Sequence, residues 1–167
     1  AIRKVARMGH PVLRKVATSV PLEAIPKPEF QSLVRDMIET MFEYDGRGLA
    51  APQIHESLRL VVMLWDNEGA KGKSSILVLI NPVIKALTQE TGSYWEGCLS
   101  LPGLRGKVSR PNKISLQAVG IKGEQIQLKV EGFNATVIQH ECDHLDGVLY
   151  VDRISNLKDF AFNREYD

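Results

Sequence analysis

Gln139-His140-Glu141-Cys142-Asp143-His144, closed by Leu145, Asp146 and Gly147, is the segment from which the rest of the chain can be read. It has the pattern His-Glu-x-x-His. On a helix, residues four apart lie about 40° apart around the axis and roughly 6 Å apart along it. The imidazoles of His140 and His144 can therefore reach one metal ion. Glu141 falls about 100° further round, beside such an ion, where a carboxylate can take a proton from water held by the metal. Cys142 falls about 200° round, on the far face, which fits a packing role. The plain alternative is a surface helix with a chance histidine pair, and the flanks argue against it. Phe133, Val137, Ile138 and Leu145 make the segment apolar enough to be core, and Gly132 and Gly147 punctuate its ends. Two histidines and a glutamate on a largely buried helix are costly without a task.

The chain has 167 residues, enough for one domain with a sizeable core, and we expect residues 1–167 to form a single catalytic domain. Formal net charge is +1, which gives no reason to expect nucleic acid as a partner. No apolar run approaches the roughly 20 residues that span a bilayer, and the start carries no export signal, so a cytoplasmic location without membrane attachment is expected. Of the two cysteines, Cys98 and Cys142, neither is expected in a disulfide in a reducing compartment. A monomer or weak dimer is expected.

Residues 1–27 read as an extended, proline-punctuated lead-in, with His10 a surface side chain. Residues 28–44 read as an amphipathic helix, with Phe30, Leu33, Val34, Met37, Ile38, Met41 and Phe42 at helical spacing, Pro28 in the first turn and Asp45-Gly46 at the end. Gly46-Arg47-Gly48-Leu49-Ala50-Ala51-Pro52-Gln53 allows close backbone approach, and lacks the context and lysine of a phosphate loop. Gln53, fixed beside Pro52, is an amide of the kind that stabilises an oxyanion.

Strands are expected over 58–65, 76–80 and 83–87, with a loop over 66–75 and burial on both faces or against a twisted partner. Residues 113–119 and 124–130 alternate with period two about Gly120–Gly123 and predict a hairpin. The metal helix is expected over 133–146, a short strand at Leu149-Tyr150-Val151, and a tail from Asn156 whose docking the sequence leaves open. Cys98 falls in Tyr94-Trp95-Glu96-Gly97-Cys98-Leu99-Ser100, on a strand-to-loop segment away from the helix. It can supply a third ligand from the opposite side and leave one position for water.

Taken together, Gly46–Gln53, Glu96-Gly97-Cys98-Leu99-Ser100 and Gln139–His144 occur in the order and approximate spacing of the peptide deformylase family, and the chain resembles that family over essentially its whole length. The resemblance implies an α+β fold with antiparallel β-sheets around a central metal-binding helix. It implies removal of the formyl group from the N-terminal formylmethionine of new peptides. Cys98, His140 and His144 match the metal ligands. Glu141 matches the general acid/base, and Gln53 and the backbone N–H of Leu99 match the oxyanion donors. Gly48 matches a backbone position that pairs with substrate, Arg105 a contact further along the peptide, and Phe133, Val137, Tyr94 and Glu96 the surround of the methionine pocket. Arg110 and Asp143 match a supporting ion pair. The implied metal is ferrous iron, with zinc or nickel able to occupy the site. Arg47 departs from the aliphatic residue usual in the family, and His55 stands where glycine is common. The tail is short and mixed in charge, so it gives little support to docking on the ribosome near its exit tunnel. The rival readings are a His-Glu-x-x-His zinc endopeptidase, with Tyr150 where one protease pattern has a third histidine and Glu165 as a nominal downstream glutamate, and a closed structural zinc module with Cys142 as fourth ligand.

Overall fold

The computed structural model describes residues 1–66 and 74–166. Among the described residues, eight strands are arranged in two antiparallel sheets. β1 (Gly48–Ala50), β2 (Leu60–Asp66), β3 (Ser74–Ala86), β6 (Lys113–Val119) and β7 (Gln125–Glu131) form a five-stranded sheet in the order β1-β2-β3-β6-β7. β4 (Thr91–Cys98), β5 (Leu101–Pro111) and β8 (Phe160–Phe162) form a three-stranded sheet in the order β4-β5-β8. The helices are α1 (Pro28–Glu43), α2 (Phe133–Leu145) and the single turn α3 (Asn163–Tyr166). This is the α+β arrangement expected from the sequence, with α2 held between the sheets.

β2 shows why the apolar run reads without alternation. Val61 and Met63 face the cluster that includes Ala135, Ile138, Cys142 and Leu145 of α2. Leu60 and Val62 face the cluster built on Phe30, Leu33, Val34, Met37 and Met41 of α1. Both faces of the strand are covered, so every position is apolar. Each such side chain contributes roughly 1.5–3 kcal/mol when fully buried. α1 starts with Pro28 at its first position and Glu29 in its first turn, and ends where Asp45 takes a positive φ of 54° and Gly46 N–H returns to Met41 C=O at 2.9 Å.

α2 is buried along almost its whole length, including Gln139, Glu141, Asp143 and His144. Gly147 terminates it at φ 76°, where a Cβ would sit 2.6 Å from the Arg14 carbonyl oxygen. A third cluster, with Leu13, Leu101, Val108, Leu149 and Tyr150, joins the small sheet to the segment after α2.

The structure corrects several expectations. The lead-in contains 3-10 turns at Pro11–Arg14 and Leu22–Ala24, the first capped by His10 Nδ1, which accepts from Val12 N–H. The strands expected at 76–80 and 83–87 are one strand, β3. Asn81, at φ 52°, makes a register shift between Ile80 and Val83 instead of a break. β3 is only partly covered, with Ile76 and Val83 exposed. β5 escaped the sequence reading because Pro102, Gly103 and Gly106 interrupt its pattern. Leu149–Val151 is no strand, since Tyr150–Arg153 form a 3-10 turn. The loop expected over 66–75 falls mostly outside the described residues, with Asp66 ending β2 and Ser74 and Ser75 starting β3. The tail docks: β8 pairs with Leu104–Gly106 of β5.

Candidate active site

A cleft of ≈ 1210 Å³ runs between the two sheets, lined by residues of β1, β4, the β4–β5 turn and α2. Among the described residues β1 and β4 are both terminal strands of their sheets, and residues of both line the cleft.

At the closed end of the cleft, one donor atom each from Cys98, His140 and His144 lies within 4.8 Å of the others. β4 delivers Cys98 as its last residue, and α2 delivers the two histidines from successive turns. Cys98 Sγ is 3.3 Å from His144 Nε2. His140 uses Nδ1 to meet Glu96 Oε1 at 2.8 Å, which leaves Nε2 for the site. Glu96 is in turn gripped by Arg110 through Nε at 2.7 Å and Nη2 at 2.9 Å, and Arg110 reaches Asp143 at 2.8 Å. The expected Arg110–Asp143 pair is present. Sequence reasoning missed that Arg153 also grips Asp143, at 2.6 and 2.9 Å, and no periodicity marks it.

The electrostatics follow from burial. For Glu96, burial pushes the carboxyl upward, and the bonds from His140 and Arg110 outweigh it and leave the pKa below the ordinary range. Burial disfavours charge on His140, but Cys98 and Glu96 favour it and raise the pKa well above the usual value. Burial and the nearby His140 push His144 well below its own. Burial lifts the Glu141 carboxyl to about 7, against the pull of His140. Glu141 Oε1 is buried with no hydrogen-bond partner and lies 4.0 Å from His144 Nε2.

These groups fit a transition-metal ion. A thiolate and two imidazoles suit iron, zinc or nickel, and lack the oxygen ligands that calcium or magnesium requires. The orphaned Glu141 oxygen faces the same small volume, and water beside a cation is the partner it lacks. Among the described residues this is the only such group of three, so neither Glu165 nor Cys142 completes a ligand set. Cys142 faces the core, and burial pushes its thiol up to about 12. Tyr150 stacks on the His140 ring, centroids 5.9 Å apart, as packing.

The remaining expected residues fall as follows. Gln53 Oε1 accepts from Ala50 N–H at 2.9 Å, so the amide is fixed with Nε2 directed at Cys98 Sγ, 3.5 Å, and Ser100 Oγ, 3.1 Å. Ser100, fully buried, was not singled out in the sequence. Leu99 lines the cleft in the β4–β5 turn. Gly48 lies against Glu141: a Cβ there would be 2.7 Å from Oε2. Phe133, Val137, Arg105 and Glu96 line the cleft. Phe133 is 36% exposed, and so belongs to the cleft wall and not to the core as its place on an apolar helix suggested. Tyr94 does not itself line the cleft and packs edge-on against Phe133, centroids 5.6 Å apart. Arg105 lies under the tail, its guanidinium 5.1 Å from the Tyr166 ring.

A two-sheet α+β fold with a buried His-Glu-x-x-His helix and a cysteine from a separate strand, placed so that the three could hold a metal ion, fits the class of metal-dependent hydrolases. The polypeptide deformylase family model matches residues 2–160. A peptide deformylase from Leptospira biflexa is 44% identical, the match covering 100% of this chain and 96% of that protein. The Met-Ala-Ser-bound crystal structure of the class I type b peptide deformylase from Acinetobacter baumannii superposes with a TM-score of 0.85 at 32% identity, covering 92% of this chain and 99% of that one. The crystal structure of peptide deformylase from Thermotoga maritima gives 0.82 at 38% identity, covering 93% and 99%. The chain belongs to the polypeptide deformylase family. It is a hydrolase that removes N-formyl groups from newly synthesised peptides, and the endopeptidase reading finds no support in these matches.

Proposed function

We propose that residues 1–167 form one catalytic domain that deformylates the N-terminal formylmethionine of nascent peptides, using Cys98, His140 and His144 to hold a ferrous ion. Zinc or nickel suits the same donors and would occupy the site in protein purified in air. The observation that carries this reading is the convergence of the three donor atoms within 4.8 Å, with the Glu141 carboxylate beside them.

When bound, the cation supplies Lewis acidity, lowering the pKa of water from ~15.7 towards ~7 and polarising a carbonyl oxygen. Glu141 takes the proton that water releases as it attacks the formyl carbon. As the C–N bond breaks, Glu141 delivers that proton to the departing amine, and formate and a free methionyl N-terminus result. Gln53 Nε2 and the Leu99 backbone N–H donate to the former carbonyl oxygen as it gains charge. Gly48 offers its backbone to the substrate beside Glu141. Phe133 and Val137, buttressed by Tyr94 and with Glu96 behind, receive the methionine side chain, and Arg105 meets the peptide further along.

The peptide would lie extended between the edges of β1 and β4, as an added strand does on an open sheet edge. The Met-Ala-Ser complex of the Acinetobacter baumannii relative supports a peptide of this kind as ligand. No helix of the described residues is long and apolar enough to cross a membrane, and the enzyme would work in the cytoplasm as a monomer or weak dimer. Among the described residues the tail pairs as β8 with β5. Anaerobic purification with metal analysis and a formate-release assay on formyl-Met-Ala-Ser tests the proposal. One iron per chain with formate release is expected. A metal-loaded protein that leaves the formyl group intact but cleaves unformylated protein would overturn it.

A further inference from the structure

The two ends of β1 differ. Toward Ala50, Ala51 and Gln53 the chain is fully buried and ends against Cys98 and Ser100. Toward Arg47, Asp45 and Tyr44 it is exposed and lines the cleft mouth. Gly48, in contact distance of Glu141, marks the reacting point between them. A peptide whose formyl end sits at Glu141 and that pairs with the β1 edge continues outward past Arg47.

Arg47 is held there in a defined way. Its carbonyl accepts from Leu64 N–H at 2.9 Å, which pins its backbone to β2. Its guanidinium lies 5.4 Å from the centroid of the Phe133 ring, on the cleft wall. Stacked on an aromatic face, a guanidinium keeps its edge donors free for a carboxylate. The cleft lining also carries Lys4, Arg7 and Arg105. Among the described residues, none of these four cations has a carboxylate within 4.0 Å. Asp45 is the one exposed acid on the cleft wall, since Glu96 is gripped by Arg110 and His140 and Glu141 is buried. The cleft lining therefore has a positive excess, and Arg47 contributes to it on the exposed side of Gly48.

We propose that Arg47 is a specificity-determining residue that favours formylated peptides with aspartate or glutamate directly after the methionine. The proposal rests on the deformylase reading above and adds a substrate class to it. The charged atoms are partly solvated, so the effect is that of an exposed ion pair, felt as discrimination between charges and weakened by salt.

The test is kcat/KM on formyl-Met-X-Ser amides with X as Asp, Asn or Lys, at low and high salt, for the parent enzyme and for Arg47→Leu and Arg47→Lys. Amidation removes the terminal carboxylate as a competing source of negative charge. The parent is expected to prefer Asp over Lys by about fivefold at low salt, in line with the range for exposed pairs. Arg47→Leu is expected to bring that ratio within about twofold, and Arg47→Lys to retain most of it. A parent with no preference, or an unchanged ratio in Arg47→Leu, overturns the proposal. Absence of formate release from any of the peptides sinks the deformylase reading itself.

Discussion

Glu96 Oε1 lies 2.8 Å from His140 Nδ1, and this contact ties a candidate metal-ligating histidine to a buried chain of charges. Arg110 holds both oxygens of Glu96 and one of Asp143, and Arg153 closes on Asp143 from the half-exposed side. The ring orientation of His140 is thus set by a carboxylate that is itself fixed by two further bonds.

Glu96→Ala should therefore weaken metal binding by about 10- to 100-fold, the usual loss when the carboxylate behind a ligating histidine is removed. It also removes one of the two carboxylates that hold buried Arg110 and leaves only Asp143, so the stability cost should lie below the figure of about 3–5 kcal/mol for a fully broken buried pair. Competition with a chelator gives the first quantity and urea unfolding the second. Metal affinity equal to the parent's would mean that His140 is held by something other than Glu96.

Glu141→Ala leaves Cys98, His140 and His144 in place, so the variant should purify with its metal. Loss of a positioned acid/base group should lower kcat by about 100- to 10,000-fold. Metal content by atomic spectroscopy and single-turnover formate release separate the two effects. A variant working at the parent's rate would remove Glu141 from proton transfer.

Gly48→Ala places a methyl group 2.7 Å from Glu141 Oε2 and 2.9 Å from Glu141 Cγ. The helix cannot retreat, because α2 is packed against β2 and β7 through Ala135, Ile138 and Leu145. The carboxylate must turn away, and displacement of a reacting group by about 1 Å can cost 100-fold in rate. A folded Gly48→Ala with an unaltered melting curve and kcat within threefold of the parent would show that the carboxylate has room to spare.

Much of this site is legible in the sequence because it is built from local patterns. His140, Glu141 and His144 declare their geometry through helical spacing, and α1 is marked by its apolar stripe, Pro28 and Asp45-Gly46. Cys98 has no periodic signature; its strand-to-loop place opposite a His-Glu-x-x-His helix made it the candidate third ligand, and its match to a family motif agreed. What stayed hidden depends on partners distant in the chain. Arg153 becomes part of the site through Asp143, ten residues away on another element. Ser100 matters through Gln53, and the tail gains structure only because β5 offers it an edge at Leu104–Gly106. Phe133 reads as core by helical spacing because α2 is buried on nearly all sides, its polar residues included, so spacing alone does not tell core from cleft wall.

Asp152 gives the prediction for acid stability. Its carboxylate accepts from the Arg14 guanidinium and from Leu149 N–H, and it fixes the 3-10 turn that places Tyr150 on the His140 ring. The Arg14 bond is the main cause of a pKa below the ordinary carboxylate value, against a smaller opposing effect of burial. A depressed native pKa means that the unfolded chain takes up the proton first as pH falls. The stabilisation is therefore complete above about pH 4, the range of a free aspartate, and is lost as pH drops through the native value. The side chain is 39% exposed, so solvent screening limits the gain to about 1 kcal/mol or less. Asp152→Asn should be less stable than the parent at pH 7, and the gap should shrink as pH falls from about 4 toward 2. Urea unfolding of metal-stripped protein across this range checks it without interference from acid release of the metal. A gap that stays constant down to the acid limit would mean that Asp152 stabilises the turn through its shape and not its charge.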